Sequence, residues 1–118
     1  MSINIRVTST FRKDFKKLFK KYRSLKKDIE SLQDELSKNP YLGTKISDDF
    51  YKIRLQIRSK GKGKSGDGRI ISHIKEQEES TLIVFIKLYD KSAQASIKVI
   101  ELNNILEEFE SASENEEE

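Results

Sequence analysis

Four segments of the chain have the apolar pattern of β-strands. Residues 3–7 alternate apolar and polar side chains, and residues 51–57 and 69–75 alternate in the same way. A period of two is typical of a strand with one buried face. The segment 81–89, TLIVFIKLY, is almost continuously apolar and rich in branched and aromatic residues. We therefore predict three half-buried strands and one central strand that is covered on both faces.

Three other segments have apolar residues at the spacing of an amphipathic helix. They lie within residues 11–22, 25–36 and 97–109, with apolar positions three or four residues apart. Asn39-Pro40 predicts the end of the second helix, because a residue before proline avoids the helical region. The candidate N-cap residues are Thr8, Ser9 or Thr10 for the first helix, Ser24 for the second and Ser92 for the third.

The order of these elements predicts a small α+β domain of the form β-α-α-β-β-β-α. Its sheet is expected to be antiparallel-rich, with a helical hairpin at the N-terminal side and one helix at the C-terminal side. Residues 41–49 are expected to be a loop. In the strand at 69–75, Ile70 is expected inside together with either Ile71 or Ile74.

The length of the chain bounds the number of domains. A chain of 118 residues supports one compact core. We assign residues 1–110 to this single domain. The remaining residues 111–118 are acidic and nearly free of apolar side chains, so we predict a frayed helix end or a disordered tail.

The composition excludes several kinds of site. There is no Cys, which removes disulfides, zinc-thiolate sites and cysteine nucleophiles, and the single histidine, His73, cannot build a histidine metal site alone. No apolar run approaches the roughly 20 residues of a membrane helix, and the first residues lack the apolar core of a signal peptide. We expect a soluble, cytoplasmic protein without metal or cofactor.

The formal net charge of +3 conceals a strong asymmetry along the chain. Residues 1–75 hold 20 Lys or Arg and 8 Asp or Glu, a net charge of +12. Residues 76–118 hold 3 and 12, a net charge of −9. Such a distribution indicates a polyanion as the partner of the basic part.

Many of the cations fall on the predicted strands and the loop between them. The exposed face of the strand at 51–57 is basic, and side chains at every second position share one face of a sheet. Like charges at such close spacing repel one another, whereas a phosphate backbone would neutralise them. The residues of this group are Lys52, Arg54, Arg58, Lys60, Lys62, Lys64, Arg69, Lys87 and Lys91.

Two other motifs favour ordinary structural roles. Gly63-Lys64-Ser65 looks like the end of a phosphate-binding P-loop, but the glycine required five positions earlier is Arg58, and a strand rather than a helix follows. His73 has the chemistry of a general base. Its position within a predicted strand favours an ordinary half-buried histidine.

Three motifs in order resemble the RelE/ParE superfamily of bacterial toxins, and within it the RelE-like or HigB-like branch. They are Phe50-Tyr51-Lys52-Ile53-Arg54-Leu55, the glycine-lysine loop that ends in Gly68-Arg69-Ile70-Ile71, and Leu88-Tyr89-Asp90-Lys91-Ser92 before a helix. The resemblance spans roughly residues 3–106. It implies the toxin of a type II toxin-antitoxin system, with a cognate antitoxin as its partner.

The resemblance also implies two alternative activities. Members of the RelE branch cleave mRNA on the ribosome without a metal ion. The resemblance to this branch implies that the chain is an endoribonuclease, or mRNA interferase, that inhibits translation. The ParE branch inhibits DNA gyrase, which is the non-catalytic alternative. Some nucleases of the superfamily use a tyrosine near the C-terminus, and the last helix here has none, so Tyr89 is a substitute candidate.

Under the nuclease hypothesis, the residues divide into two groups. Arginine suits charge stabilisation because its planar guanidinium donates two hydrogen bonds to a phosphate, and Lys52 or Lys91 is the candidate acid or base. The predicted catalytic residues are Lys52, Arg54, Arg69, Tyr89 and Lys91. The predicted RNA-binding residues are Arg58, Lys60, Lys62, Lys64 and Lys87.

Overall fold

The computed structural model describes residues 2–60, 67–92 and 97–116, with side chains as far as residue 112. The strands of this part of the chain are β1 (Ser2–Val7), β2 (Thr44–Ser47), β3 (Phe50–Leu55), β4 (Gly68–Glu76) and β5 (Ser80–Asp90). The helices are α1 (Ser9–Lys21), α2 (Leu25–Lys38) and α3 (Val99–Glu116), and a short 3-10 turn spans Arg58–Lys60. The predicted α+β class and the order of the predicted elements are confirmed.

The five strands form one sheet in the spatial order β1-β5-β4-β3-β2. β1 pairs in parallel with β5, and the other neighbouring strands are antiparallel. The prediction of a loop over residues 41–49 is wrong in part, because Thr44–Ser47 form β2 at the edge of the sheet. This strand has four residues and a single large apolar side chain, Ile46, so it carries no usable alternation.

Helices cover both faces of the sheet. One apolar cluster joins α1 and α2 to the sheet through residues such as Phe11, Leu25 and Phe85. A second cluster joins Leu102 of α3 to the opposite face. This arrangement confirms that β5 is a buried central strand.

The strand β4 is buried on both faces as well, which answers the question that the sequence left open. Ile70 and Ile74 belong to the cluster beneath α1 and α2, whereas Ile71 belongs to the cluster beneath α3. All three side chains are therefore inside. The pairing of β4 with β5 is irregular between Ile71 and Ser72, where the register skips Ile86.

Of the three predicted N-caps, one caps its helix with its side chain. Thr8 is the cap of α1, since its Oγ1 accepts the Phe11 N–H at 2.9 Å, and the same hydroxyl donates to the Ile86 carbonyl at 2.7 Å. Ser24 stands at the N-cap position of α2, but its side chain makes no capping hydrogen bond, and its hydroxyl donates to Asp28 Oδ2 at 2.7 Å instead. The helix ends at Lys38, as the following Pro40 predicts. The prediction that Ser92 caps α3 is wrong, because α3 begins at Val99.

The last helix extends into the acidic segment. α3 continues to Glu116, so that most of residues 111–118 are helical in backbone conformation. Its apolar stripe contacts the sheet mainly through Leu102, which is fully buried. None of the helices in the described residues combines the length and apolar character that a membrane span requires.

Candidate functional site

Three of the predicted catalytic residues lie side by side across the sheet. Arg54 on β3 is directly opposite Arg69 on β4, and Arg69 is directly opposite Tyr89 on β5. Directly opposite residues point to the same face of a sheet, with Cβ atoms about 5 Å apart. Tyr89 belongs to the cluster beneath α3, so this group, the arginine row, lies on the α3 side.

Arg54 is already paired with the carboxylate of Asp67. Its Nε donates to Asp67 Oδ2 at 2.6 Å, and its Nη2 contacts the same oxygen. The Arg54 side chain is nevertheless 67% exposed, whereas that of Asp67 is 10% exposed. Asp67 is also held by its backbone, because its carbonyl accepts the Lys91 N–H at 3.2 Å. The two guanidinium groups of the arginine row therefore have one carboxylate beside them, that of Asp67, as an internal counterion.

Arg69 and Tyr89 form the other half of the row. Arg69 Nη1 donates to the Gly68 carbonyl at 2.9 Å. Tyr89 is 5% exposed, and its hydroxyl is buried without a hydrogen-bond partner among the described residues. Burial raises the pKa of the Tyr89 phenol, and the nearby Arg69 charge opposes this only in part. The row thus holds a neutral phenol beside a permanent cation.

The two predicted catalytic lysines flank the row. Lys52 is two residues before Arg54 on β3, is directly opposite Ile71, and is half-buried. Lys91 directly follows β5 and is exposed. Both therefore lie at the same end of the sheet as the row.

Lys60, predicted to bind RNA, is part of an internal network instead of a free surface cation. Its Nζ donates to Asp90 Oδ1 at 2.9 Å and lies 5.1 Å from the centre of the Tyr22 ring. Asp90 also accepts from the Tyr22 hydroxyl at 2.8 Å and from the N–H and hydroxyl of Ser92 at 3.0 and 2.8 Å. The Lys60 and Asp90 side chains are only 12% and 5% exposed.

This network shifts the ionisation of both of its charged groups. Burial lowers the pKa of Lys60, but the hydrogen bond and charge of Asp90 outweigh it, so that the pKa is raised. Burial raises the pKa of Asp90, but hydrogen bonds from Lys60, Ser92 and Tyr22 outweigh it and hold this pKa well below its usual range. The pair therefore stays ionised over the whole neutral range.

The other predicted RNA-binding residues are dispersed. Lys87 Nζ lies 3.3 Å from Asp14 on α1, and the same carboxylate accepts the Leu88 N–H at 3.1 Å, so that this pair joins α1 to β5. Arg58 is 67% exposed, with its Nε 4.0 Å from Asp28 Oδ1. Lys62 and Lys64 lie outside the described residues.

The carboxylates that pair with these cations were not singled out from the sequence. Asp67 stands between two glycines and looks like an ordinary turn residue. Asp14 and Lys87 are 73 residues apart, and no spacing rule connects them. Sequence gave no signal for these pairings, because an ion pair between distant segments depends on how the helices dock on the sheet.

His73 lies away from the row, in a cavity of about 440 Å³ between β4 and α3. Its ring meets the Phe50 ring edge-on at 5.0 Å. Burial lowers the pKa of His73, Asp49 and Glu110 oppose this, and Lys75 lowers it further. In the described part of the chain, no three His, Asp or Glu side chains come together to hold a metal ion.

Replacing His73 with glutamine is expected to flatten the pH dependence of stability. The folded pKa is below the unfolded value of about 6.5, so the unfolded state binds the proton more readily. The native chain should therefore lose stability as the pH falls from about 6.5 towards the folded pKa, and His73→Gln should lack this loss. Urea unfolding at several pH values between 8 and 5 measures the difference, and parallel curves for the two proteins would contradict it.

Comparison with known proteins identifies the family of this chain. A family model described as the ParE toxin of the type II toxin-antitoxin system parDE matches residues 5–100. A search of curated proteins gives no match. The matched span contains the second half of β1, the other four strands, the helical hairpin and every predicted site residue, and it confirms the resemblance to the RelE/ParE superfamily. The chain therefore belongs to the ParE toxin family of type II toxin-antitoxin systems.

Proposed function

We propose that this toxin inhibits DNA gyrase by binding, without cleaving nucleic acid. The observation that carries the proposal is the chemistry of the arginine row, whose own three side chains offer hydrogen-bond donors, while the neighbouring Asp67 carboxylate is engaged by Arg54. Arg54 and Arg69 are permanent cations, and an ammonium group such as that of Lys52 donates without accepting. The phenol of Tyr89 has a raised pKa, so it stays protonated near neutral pH. Such a surface holds an anion and withdraws no proton from it.

The position of the only histidine supports the same reading. His73 is four residues beyond Arg69 on the same strand, which separates the two by roughly 13 Å. An acid–base group must lie within hydrogen-bond reach of the reacting atom, directly or through one water molecule. His73 is too far from Arg69 to serve a phosphate bound there.

Gyrase works on DNA, so the proposed contact is with a phosphate of the DNA that the enzyme holds. Arginine binds phosphate through two parallel hydrogen bonds, and the release of counterions adds to the affinity. A toxin fixed in this way to both DNA and enzyme would block strand passage. As a member of a type II system, the toxin also has a cognate antitoxin, which relieves the inhibition.

The proposal is tested by asking which process fails first. Purified toxin is added to a gyrase supercoiling reaction and, in parallel, to a cell-free translation reaction with a preformed linear template. We expect loss of supercoiling at toxin concentrations that leave translation intact. Loss of translation with normal supercoiling would overturn the proposal.

One observation favours a ribosome-dependent mRNA endonuclease as a second candidate. The buried Tyr89 hydroxyl has no partner among the described residues and sits beside Arg69, where it could donate a proton to a leaving oxygen. The 2′-oxygen of the RNA would form the new bond to phosphorus as the bond to the 5′-oxygen breaks, with the 2′-hydroxyl proton passing to water, and the product would carry a 2′,3′-cyclic phosphate. Primer extension on messages from cells that express the toxin detects such cuts, and Tyr89→Phe should remove them.

A further inference from the structure

Asp67 occupies one of the two edges of the Arg54 guanidinium group through which a phosphate can bind. Its Oδ2 accepts a hydrogen bond from Nε and contacts Nη2, and these two nitrogens form one edge of the guanidinium group. That edge is one of the two through which arginine binds a phosphate with paired hydrogen bonds. A phosphate can use this edge of Arg54 only when Asp67 leaves it.

The exposure of the two partners indicates which of them meets a ligand. The Arg54 side chain is 67% exposed, and the Asp67 side chain is 10% exposed. A ligand therefore approaches Arg54 from solvent, while Asp67 holds it from within. Arg54 can therefore exchange one anion for another at the surface, whereas moving the buried Asp67 carboxylate has a cost that the contacts of the incoming phosphate with Arg54 and Arg69 must offset.

The repulsion between the two arginines of the row explains why an internal counterion, Asp67, lies beside them. Arg54 and Arg69 are directly opposite each other on antiparallel strands, and like charges in this position destabilise a sheet. The Asp67 carboxylate offsets part of this repulsion when no ligand is bound. A phosphate would do the same while gaining Arg69 as a second partner.

The Tyr89 hydroxyl is an independent sign that the row receives a ligand. Tyr89 is only 5% exposed, and its hydroxyl has no hydrogen-bond partner among the described residues. Buried polar groups are normally paired, and leaving one unpaired is unfavourable. A phosphate oxygen placed between Arg69 and Tyr89 would supply the missing partner.

We propose that Asp67 is an internal competitor that a nucleic-acid phosphate displaces from Arg54 when the toxin binds its target. This inference rests on the proposed function, in which the arginine row holds a phosphate. It adds that the free toxin is partly self-inhibited, and that the affinity for nucleic acid is set by a carboxylate as well as by cations.

The test compares oligonucleotide binding by variants with the same net charge. Asp67→Asn removes the competing charge and keeps the side-chain shape, and Asp34→Asn removes an exposed carboxylate on α2 as the matched control. Binding of fluorescein-labelled single-stranded 12-mers, one DNA and one RNA of the same sequence, is followed by anisotropy. We expect Asp67→Asn to bind about fivefold more tightly than the native protein, and Asp34→Asn less than about twofold.

A second pair of variants shows whether the effect passes through Arg54. In an Arg54→Gln background, the Asp67→Asn change should no longer alter the affinity for the oligonucleotide, because the guanidinium group for which Asp67 and the phosphate compete is absent. Equal affinities for Asp67→Asn and Asp34→Asn, or an undiminished effect in the Arg54→Gln background, would overturn the inference. Tighter binding of DNA than of RNA would assign the phosphate to DNA, and the reverse would assign it to RNA within the same inference.

A measurement on the native protein covers the case in which Asp67→Asn does not fold. The Arg54 Nε–H resonance in ¹⁵N-labelled toxin should shift on titration with the 12-mer, because its acceptor changes from carboxylate to phosphate. An unchanged resonance at saturating oligonucleotide would overturn the inference. None of these readouts contains gyrase, so a failed supercoiling test would remove the proposed target and leave the binding result standing.

Discussion

Replacing Arg69 with alanine is expected to abolish growth inhibition when the toxin is expressed without its antitoxin. Arg69 is the central residue of the arginine row, directly opposite both Arg54 and Tyr89. Its guanidinium donates to the Gly68 carbonyl through one nitrogen, and no carboxylate holds it within the described residues. Hydrogen bonds from a charged group contribute about 1.5–3 kcal/mol, so binding to the target should weaken by about 10- to 150-fold. Gyrase inhibition, or message cleavage if the second candidate is correct, measures this loss.

The matched control is Arg23→Ala, which removes an exposed arginine between α1 and α2 and changes the net charge equally. It should remain toxic. Arg69→Ala should also fold, because the side chain is only half-buried and its backbone pairs are unchanged. Retained toxicity in a folded Arg69→Ala protein would show that the row is not the functional surface.

Replacing Asp90 with alanine is expected to cause a large loss of stability. The Asp90 carboxylate accepts hydrogen bonds from Lys60, Tyr22 and Ser92, and it joins the end of β5 to α1 and to the turn after β3. Removing one partner of a buried ion pair leaves the other charge buried and unpaired, at a cost of about 3 kcal/mol. Urea unfolding of Asp90→Ala against the native protein measures this change.

The pH dependence of the Asp90 effect has a definite sign. The folded pKa of Asp90 is depressed, so its contribution is complete above the ordinary carboxyl value of about 3.9 and is lost as the pH falls below it. The folded pKa of Lys60 is raised, so its contribution is complete below about 10.4 and is lost as the pH rises further. The difference between Asp90→Ala and the native protein should therefore stay constant between about pH 5 and 10. A loss below 1 kcal/mol, or no more than that of the exposed control Asp34→Ala, would contradict the role of this network.

The consequence for function is that some basic residues of this protein stabilise the fold, whereas others are available to bind a ligand. Lys60 and Lys87 hold the fold together through Asp90 and Asp14, whereas Arg69 is available to a ligand. Arg54 lies between these cases, since it is exposed and yet paired with Asp67. A count of cations along the chain would overstate the surface that an anion meets.

Most of the secondary structure was predictable because its signal is local. The period of two at residues 51–57 and the helical spacing at residues 11–22 each lie within one element, and the apolar run at 81–89 required a strand covered on both faces. The sequence pattern did not predict β2, because four residues with one large apolar side chain show no periodicity. The start of α3 was misplaced because Ser92 bonds to Asp90 instead of capping a helix.

The sequence by itself determined the α+β class, the basic character of β3 and β4, and the family that these motifs resemble. Only the tertiary structure decided that Arg54, Arg69 and Tyr89 stand in one row, because strand register is fixed by turns and core packing and not by any one strand. The tertiary structure also decided which cations are paired. An ion pair such as Lys87 with Asp14 forms when folding brings distant segments together, and its energy depends on a distance and a burial that the order of residues does not contain.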